Sequence, residues 1–334
     1  MFIVNSYTLA IIFCIVTMIC WGSWGNTQKL AGKTWRYELF YWDYVIGILL
    51  LSLIVGFTLG SHGTEGRPFL TDLAQVETAG IVSAIIGGFV FNASNILLSA
   101  STSLAGMSVA FPLGVGLALV IGVFVNYFAT PKGDPITLFA GVALIVVALV
   151  FNGMAAAKNG SQETANRKKG IILAFVAGVL MSLFYRFVAA AMDLDCFESP
   201  MAGKATPYTA FFLFSIGVFI SNFIFNTFVM KKPFAGEPVS YSTYFKGSFP
   251  THLIGVLGGI IWGLGTIFSY IAAGKAGPAV SYALGQGAPM IAAFLGIFVW
   301  KEFTGASRKT MSLLAFMFIF FISGLALIVI SGGN

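Results

Sequence analysis

Apolar residues fill this chain in long unbroken runs, and polar positions collect in the short gaps between them. A helix needs about 20 apolar residues to cross ~30 Å of hydrocarbon. Ten runs reach that length, near residues 5–25, 39–60, 79–99, 105–127, 136–156, 170–192, 209–230, 251–273, 278–299 and 311–331. The pattern predicts an all-α integral membrane protein with ten transmembrane helices, spans 1 to 10. The most polar link, AKNGSQETANRKK at 157–169, separates five spans from five. It divides the chain into an N-terminal repeat at 1–157, a linker at 158–169 and a C-terminal repeat at 170–334.

The two halves share a hairpin. Gly87–Gly116 reads GGFVFNASNILLSASTSLAGMSVAFPLGVG, and Gly258–Gly287 reads GGIIWGLGTIFSYIAAGKAGPAVSYALGQG, 171 residues on without a gap. Nine positions are identical, five of them glycine: Gly87/Gly258, Gly88/Gly259, Gly106/Gly277, Gly114/Gly285 and Gly116/Gly287 fall in both helices and the turn, beside Ile96/Ile267, Ala105/Ala276, Val109/Val280 and Leu113/Leu284. Phe91/Trp262 and Phe111/Tyr282 keep an aromatic ring. Five spans per half make the second half enter the membrane in the opposite sense. The expectation is two inverted five-helix repeats, an arrangement common among secondary transporters.

Charge sets the orientation. Loops 1–2, 3–4, 5–6, 7–8 and 9–10 hold thirteen of the eighteen Lys and Arg, against four in the other loops; Arg186 lies inside span 6. Basic loops stay in the cytoplasm. The linker is therefore expected inside and both termini outside, in a multi-pass protein of a bacterial cytoplasmic membrane. Only 9% of the residues are charged and 58% are hydrophobic, whereas soluble domains carry about 25% charge. The net charge of +6 thus speaks for topology and not for nucleic acid.

No enzyme signature of the G-x-S-x-G, H-E-x-x-H or G-x-x-x-x-G-K-[ST] kind occurs. Cys14, Cys20 and Cys196 have no metal-ligand spacing. No cofactor is expected, and the N-terminus has neither a basic start nor a cleavage pattern. His62 and His252 read as interfacial polar residues.

Polar side chains gather in the repeated hairpins and the spans near them. Asn92 and Asn95 share a face of span 3; Trp262, Thr266 and Tyr270, each four apart, form a stripe on span 8; Ser281, Tyr282 and Gln286 sit on span 9. Span 1 adds Trp21 and Trp24, and span 6 adds Tyr185 and Arg186. Pro112 and Pro289, each near two glycines, predict kinks in spans 4 and 9. Amides and hydroxyls in hydrocarbon must find partners. They glue helices together or, as a set, bind a neutral polar solute stacked on aromatic rings: a sugar, nucleoside, nucleobase or ureide. Asp43 is the one carboxylate well inside a span, about 6 Å deep by helix rise. It is a candidate proton carrier, with first-turn helix electrostatics as the plainer role. Arg186 falls toward the outer mouth, with Asp193 two turns on as its expected partner.

CWGSWGNTQKL at 20–30, WRYELFYWDY at 35–44 and the hairpin at 87–117 resemble the ureide permease-like branch of the drug/metabolite transporter superfamily. The bacterial glucose/ribose and rhamnose transporters look similar. The resemblance covers essentially the whole chain. It implies a central cavity walled mainly by the first four helices of each half. Plant ureide permeases are similar but carry a Walker A-like sequence in a long central loop. Lys158–Lys169 has none, so no nucleotide-binding expectation carries over and the substrate stays open. The expected function is proton-coupled uptake of a small neutral polar metabolite by alternating access. An exporter of metabolites or amphipathic drugs is the alternative within transport. An intramembrane enzyme lacks its nucleophile–base set, and a passive pore fits kinked paired helices less well.

Overall fold

A computed structural model describes residues 1–32, 35–159 and 165–333. Gln162, with residues 160–164 of the expected linker, and Asn334 lie outside the described residues. Span 1 is α1 (Tyr7–Ser23) continued by α2 (Gly25–Ala31), and span 2 is α3 (Tyr37–Phe57). A short α4 (Phe69–Gln75) follows in the loop. Spans 3 to 7 are α5 (Thr78–Ala105), α6 (Met107–Ala129), α7 (Pro135–Asn159), α8 (Ala165–Ala191) and α9 (Pro207–Lys231). A second loop helix, α10 (Tyr241–Phe245), precedes span 8, α11 (Phe249–Ala276). Span 9 is α12 (Pro278–Gly285) with α13 (Ala288–Phe298), and span 10 is α14 (Arg308–Gly332). The ten expected spans are all present. Helices satisfy their own backbone groups, as a bilayer core demands.

Both hairpins turn on a single residue. Gly106 ends α5 at φ 83°, and Gly277 ends α11 at φ 79°. That backbone region is open to glycine and closed to most other residues. The sequence had suggested a longer loop after residue 99. The helix instead runs on through the serines, because Thr102 and Ser103 return their hydroxyls to the carbonyls of Leu98 and Ser99. The two prolines differ. Pro112 stays within a continuous α6. Pro289 stands at the second residue of α13, where its missing N–H costs nothing, and span 9 breaks before it at Gln286 and Gly287.

The halves exchange partners. Span 3 packs against spans 6 and 7 of the other half, and span 8 packs against spans 1 and 2. Spans 5 and 10, 2 and 7, and 4 and 9 meet as pairs. Glycines make the closest crossings possible. A Cβ at Gly259 would lie 1.9 Å from the Tyr44 carbonyl oxygen, and one at Gly47 would lie 2.2 Å from that of Val256. Gly88 and Gly217 repeat this crossing between spans 3 and 7, at 2.2 Å from Phe214 O and 2.3 Å from Ile85 O.

The two ends of the bundle are unlike. One end carries the basic loops 1–2, 7–8 and 9–10. There Lys29 pairs with Glu302, and Arg36 pairs with the buried Glu38 at 2.5 Å. The opposite end is covered by the first residues of the chain. The Met1 amine donates to Glu65 O (2.5 Å), Phe2 N to Leu59 O (2.7 Å), and the Tyr208 hydroxyl to Phe2 O (3.0 Å).

Candidate functional site

Near the centre, six spans enclose a small cavity. Trp21 and Trp24 come from span 1, Phe91, Asn95 and Leu98 from span 3, and Phe111 and Val115 from span 4. Met181 and Phe184 come from span 6, Trp262 from span 8, and Gln286 and Ala288 from span 9. The first, third and fourth span of each half contribute. The volume is about 20 Å³, room for about one water. The walls are therefore drawn together. A wider vestibule of about 550 Å³ opens at the basic end, bordered by Gln28, Lys29, Arg36, Tyr37, Thr102 and Ser103 among others.

Aromatic rings set the shape of the cavity. The Trp21 and Trp262 planes are 9° apart with centroids at 6.0 Å, and Phe91 stacks on Trp262 with centroids at 4.1 Å. Trp24 lies against Tyr44 (4.8 Å) and Phe111 (6.1 Å). Offset and tilted pairs of this kind lock ring orientation. The Trp21 Nε1 donates to Thr266 Oγ1 at 3.1 Å, fixing that indole further. Two neutral amides, Asn95 and Gln286, supply the polar wall. Asn95 Nδ2 donates to the Tyr41 hydroxyl at 3.2 Å. No charged side chain lines this cavity among the described residues.

Of the twelve residues expected to meet solute, Trp21, Trp24, Asn95, Trp262 and Gln286 line the cavity. Thr266 stands behind as the Trp21 acceptor. Asn92 turns away to span 7, donating to Ser221 Oγ at 2.9 Å, with its own Oδ1 unpartnered. Tyr185 and Ser281 join Ser269 in a hydroxyl cluster on the far side from the basic end; Tyr185 OH is 3.0 Å from Ser269 Oγ and 3.3 Å from Ser281 Oγ. Tyr282 passes between helices to the carbonyls of Ala118 and Met181, both at 3.2 Å. Tyr270 packs edge-on to Tyr185 with a buried, unpartnered hydroxyl. Arg186 is half-buried, borders no part of the cavity, and has no ion pair among the described residues. Asp193 does not reach it and instead accepts from Met201 N at 2.8 Å.

Asp43 lies away from the cavity, at the basic end, and is better provided with partners than the sequence suggested. Its Oδ1 accepts from the Tyr244 hydroxyl at 2.6 Å and faces His252 Nδ1 at 2.8 Å. Its Oδ2 accepts from Trp35 Nε1 at 3.3 Å. Gly255 makes room, since a Cβ there would sit 2.4 Å from Asp43 Cβ. Burial, and then the Asp43 carboxylate, push the Tyr244 phenol above its ordinary range, so it remains a donor. His252, read from sequence as an interfacial residue, belongs to this cluster.

The apolar walls Phe91, Leu98, Phe111, Val115, Met181, Phe184 and Ala288 were not singled out as solute contacts. A signal existed for two of them: Phe91 and Phe111 are the repeat mates of Trp262 and Tyr282. Gln28 was also missed, although it follows Trp24 by one turn. Among the described residues, no three His, Cys, Asp or Glu side chains gather to hold a metal.

The sequence matches the ureide permease family over residues 40–169 and 164–331. It is 25% identical to ureide permease 1 of Arabidopsis thaliana and 26% identical to ureide permease 2, over all of both chains in each case. A putative sugar uptake protein of Enterococcus faecalis is 24% identical over 95% of this chain and 97% of its own. One solved crystal structure of a protein superposes with TM-score 0.63 at 17% identity, covering 96% of each chain, which shows a shared fold. The relatives are named as permeases and an uptake protein, and this protein is a transporter as they are. It is a multi-span membrane permease, not an enzyme, and belongs to the ureide permease family.

Proposed function

We propose that this permease takes up a small neutral polar solute with a flat face, by alternating access and with protons as the coupling ion. The observation that carries the reading is the cavity itself: stacked indoles, two neutral amides and no charged wall. A charged solute would be left uncompensated there, whereas a neutral one finds donors and acceptors on Asn95 and Gln286. The relatives' names, ureide permease and sugar uptake protein, point to the same chemistry. Cyclic ureides such as allantoin and simple sugars are both neutral and rich in hydrogen-bonding groups.

Residues 1–157 and 170–334 act as inverted repeats in this reading. Support comes from the matching glycine turns, the exchanged packing of spans 3 and 8, and the three corresponding spans that each half brings to the cavity. The basic end faces the cytoplasm by its loop charge, in a bacterial cytoplasmic membrane. The vestibule therefore opens inward. Asp43 carries the proton, with His252 and Tyr244 beside it.

The test is uptake into proteoliposomes of labelled allantoin, uracil and glucose, with and without an inward proton gradient. The expected result is gradient-stimulated accumulation of at least one of them. Failure of all three, together with transport of a charged compound, would overturn the neutral-solute reading. Accumulation indifferent to the gradient would overturn proton coupling alone.

A further inference from the structure

We infer that Gln28 is the gate residue that separates the cavity from the vestibule on the basic side. The inference rests on the alternating-access reading and deepens it by naming the bar that must open. Trp24 and Leu98 line the cavity; Gln28 and Thr102, each four residues further along the same helices, line the vestibule. The partition is therefore about one helical turn thick, near 5.4 Å.

Gln28 spans that partition. It is 5% exposed, and its Nε2 donates to Ser99 O at 3.1 Å and Ser103 Oγ at 3.2 Å. Ser99 Oγ donates back to Gln28 Oε1 at 2.8 Å. The amide is thus satisfied from both of its atoms, and span 1 is tied to span 3 at the level where cavity and vestibule would join. A neutral crossbar suits a gate, because each bond lost on opening can be replaced by vestibule water or by a passing polar solute. An apolar plug would offer no such exchange.

The other side of the cavity is closed differently. Tyr185 binds Ser269 and Ser281 one turn beyond Met181. Further out, Phe13 stacks on Phe268 at 4.6 Å and on Phe2 at 6.0 Å. That side is closed in several layers, whereas on the basic side the vestibule reaches to within one helical turn of the cavity, at Gln28.

The test uses thiol accessibility and needs no known solute. Cys14, Cys20 and Cys196 are replaced by Ala, and Val115→Cys places one reporter in the cavity wall. A membrane-impermeant maleimide is then applied from the basic side of oriented vesicles. Gln28→Ala is expected to raise the labelling rate at least about fivefold, the population shift that one lost hydrogen bond gives. Labelling from the opposite side should stay at the parent rate. Tyr185→Phe, on the far side, should leave basic-side labelling unchanged. Ser99→Ala removes one bond with little change of volume and carries the same expectation should Gln28→Ala not fold. Parent-rate labelling in the folded Gln28 or Ser99 variant would overturn the inference, as would an equal rise with Tyr185→Phe. A one-sided rise in a protein that transports none of the neutral solutes would leave the gate standing and remove the solute reading.

Discussion

His252 Nδ1 lies 2.8 Å from Asp43 Oδ1 across the contact between spans 8 and 2. Asp43 is 1% exposed, while the His252 side chain keeps about a quarter of its surface. The histidine therefore connects a buried carboxylate with the basic end. If this pair loads and releases the coupling proton, Asp43→Asn should abolish concentrative uptake yet leave solute exchange across the membrane. Full gradient-driven accumulation by that variant would exclude Asp43 as carrier.

Tyr244 tests the structural side of the same cluster. Its hydroxyl reaches Asp43 from a loop helix. Hydrogen bonds to charged groups contribute about 1.5–3 kcal/mol. Tyr244→Phe should lower thermal stability in detergent by that order and leave the helical fold recognisable by circular dichroism. An unchanged melting temperature would mean that loop 7–8 adds nothing to the pairing.

Asn95 and Gln286 face the cavity from different halves. Replacing either with Ala should weaken solute affinity by about two- to tenfold, the value of one neutral hydrogen bond, with expression little altered. Quenching of Trp21, Trp24 and Trp262 fluorescence provides the readout. Equal affinity in both variants would place the solute elsewhere.

Two glycines give opposite expectations for the same substitution. Gly259→Ala must force the Tyr44 carbonyl away, since its new methyl would sit 1.9 Å from that oxygen. Overpacking of this kind costs about 1–3 kcal/mol. Gly153 has nothing within 4 Å of an added Cβ, so Gly153→Ala should stabilise the helix by about 0.5–1 kcal/mol. Melting temperatures that move in the same direction would contradict the packing at spans 2 and 8.

Orientation is open to a direct check. A reporter fused at Asn334 is expected outside and one inserted at Gln162 inside, from the thirteen-to-four charge bias. A cytoplasmic Asn334 would reverse the orientation and with it the inward direction of uptake.

The ten spans were legible because each is a continuous apolar run, and the hairpin turns because glycine recurs at 106 and 277. Asn95, Gln286, Trp21, Trp24 and Trp262 were legible as rings and amides in otherwise apolar helices. What escaped was direction. Asn92 shares a helical face with Asn95, yet it meets Ser221 while Asn95 meets Tyr41. Three residues of helix rotate a side chain by about 60° from its neighbour's line, enough to face a different helix in a crowded bundle. His252 escaped because its partner is 209 residues away, a relation created by packing and absent from any local spacing. Gln28 escaped because a glutamine near a helix end reads as surface until Ser99 and Ser103 are seen across from it.

The exchanged packing of spans 3 and 8 bears on how the polypeptide is made. Span 3 finds its main neighbours in spans 6 and 7, which leave the ribosome later. Until then Gly87 and Gly88 face lipid, without the Val188 side chain and Phe214 carbonyl that they later touch. The first five helices thus wait in the bilayer as an unfinished assembly, and the sixth and seventh complete it. Neither half, synthesised alone, contains the main helix-to-helix contacts of its own third span, which lie in the other half; co-expressed halves hold them all and should reassemble.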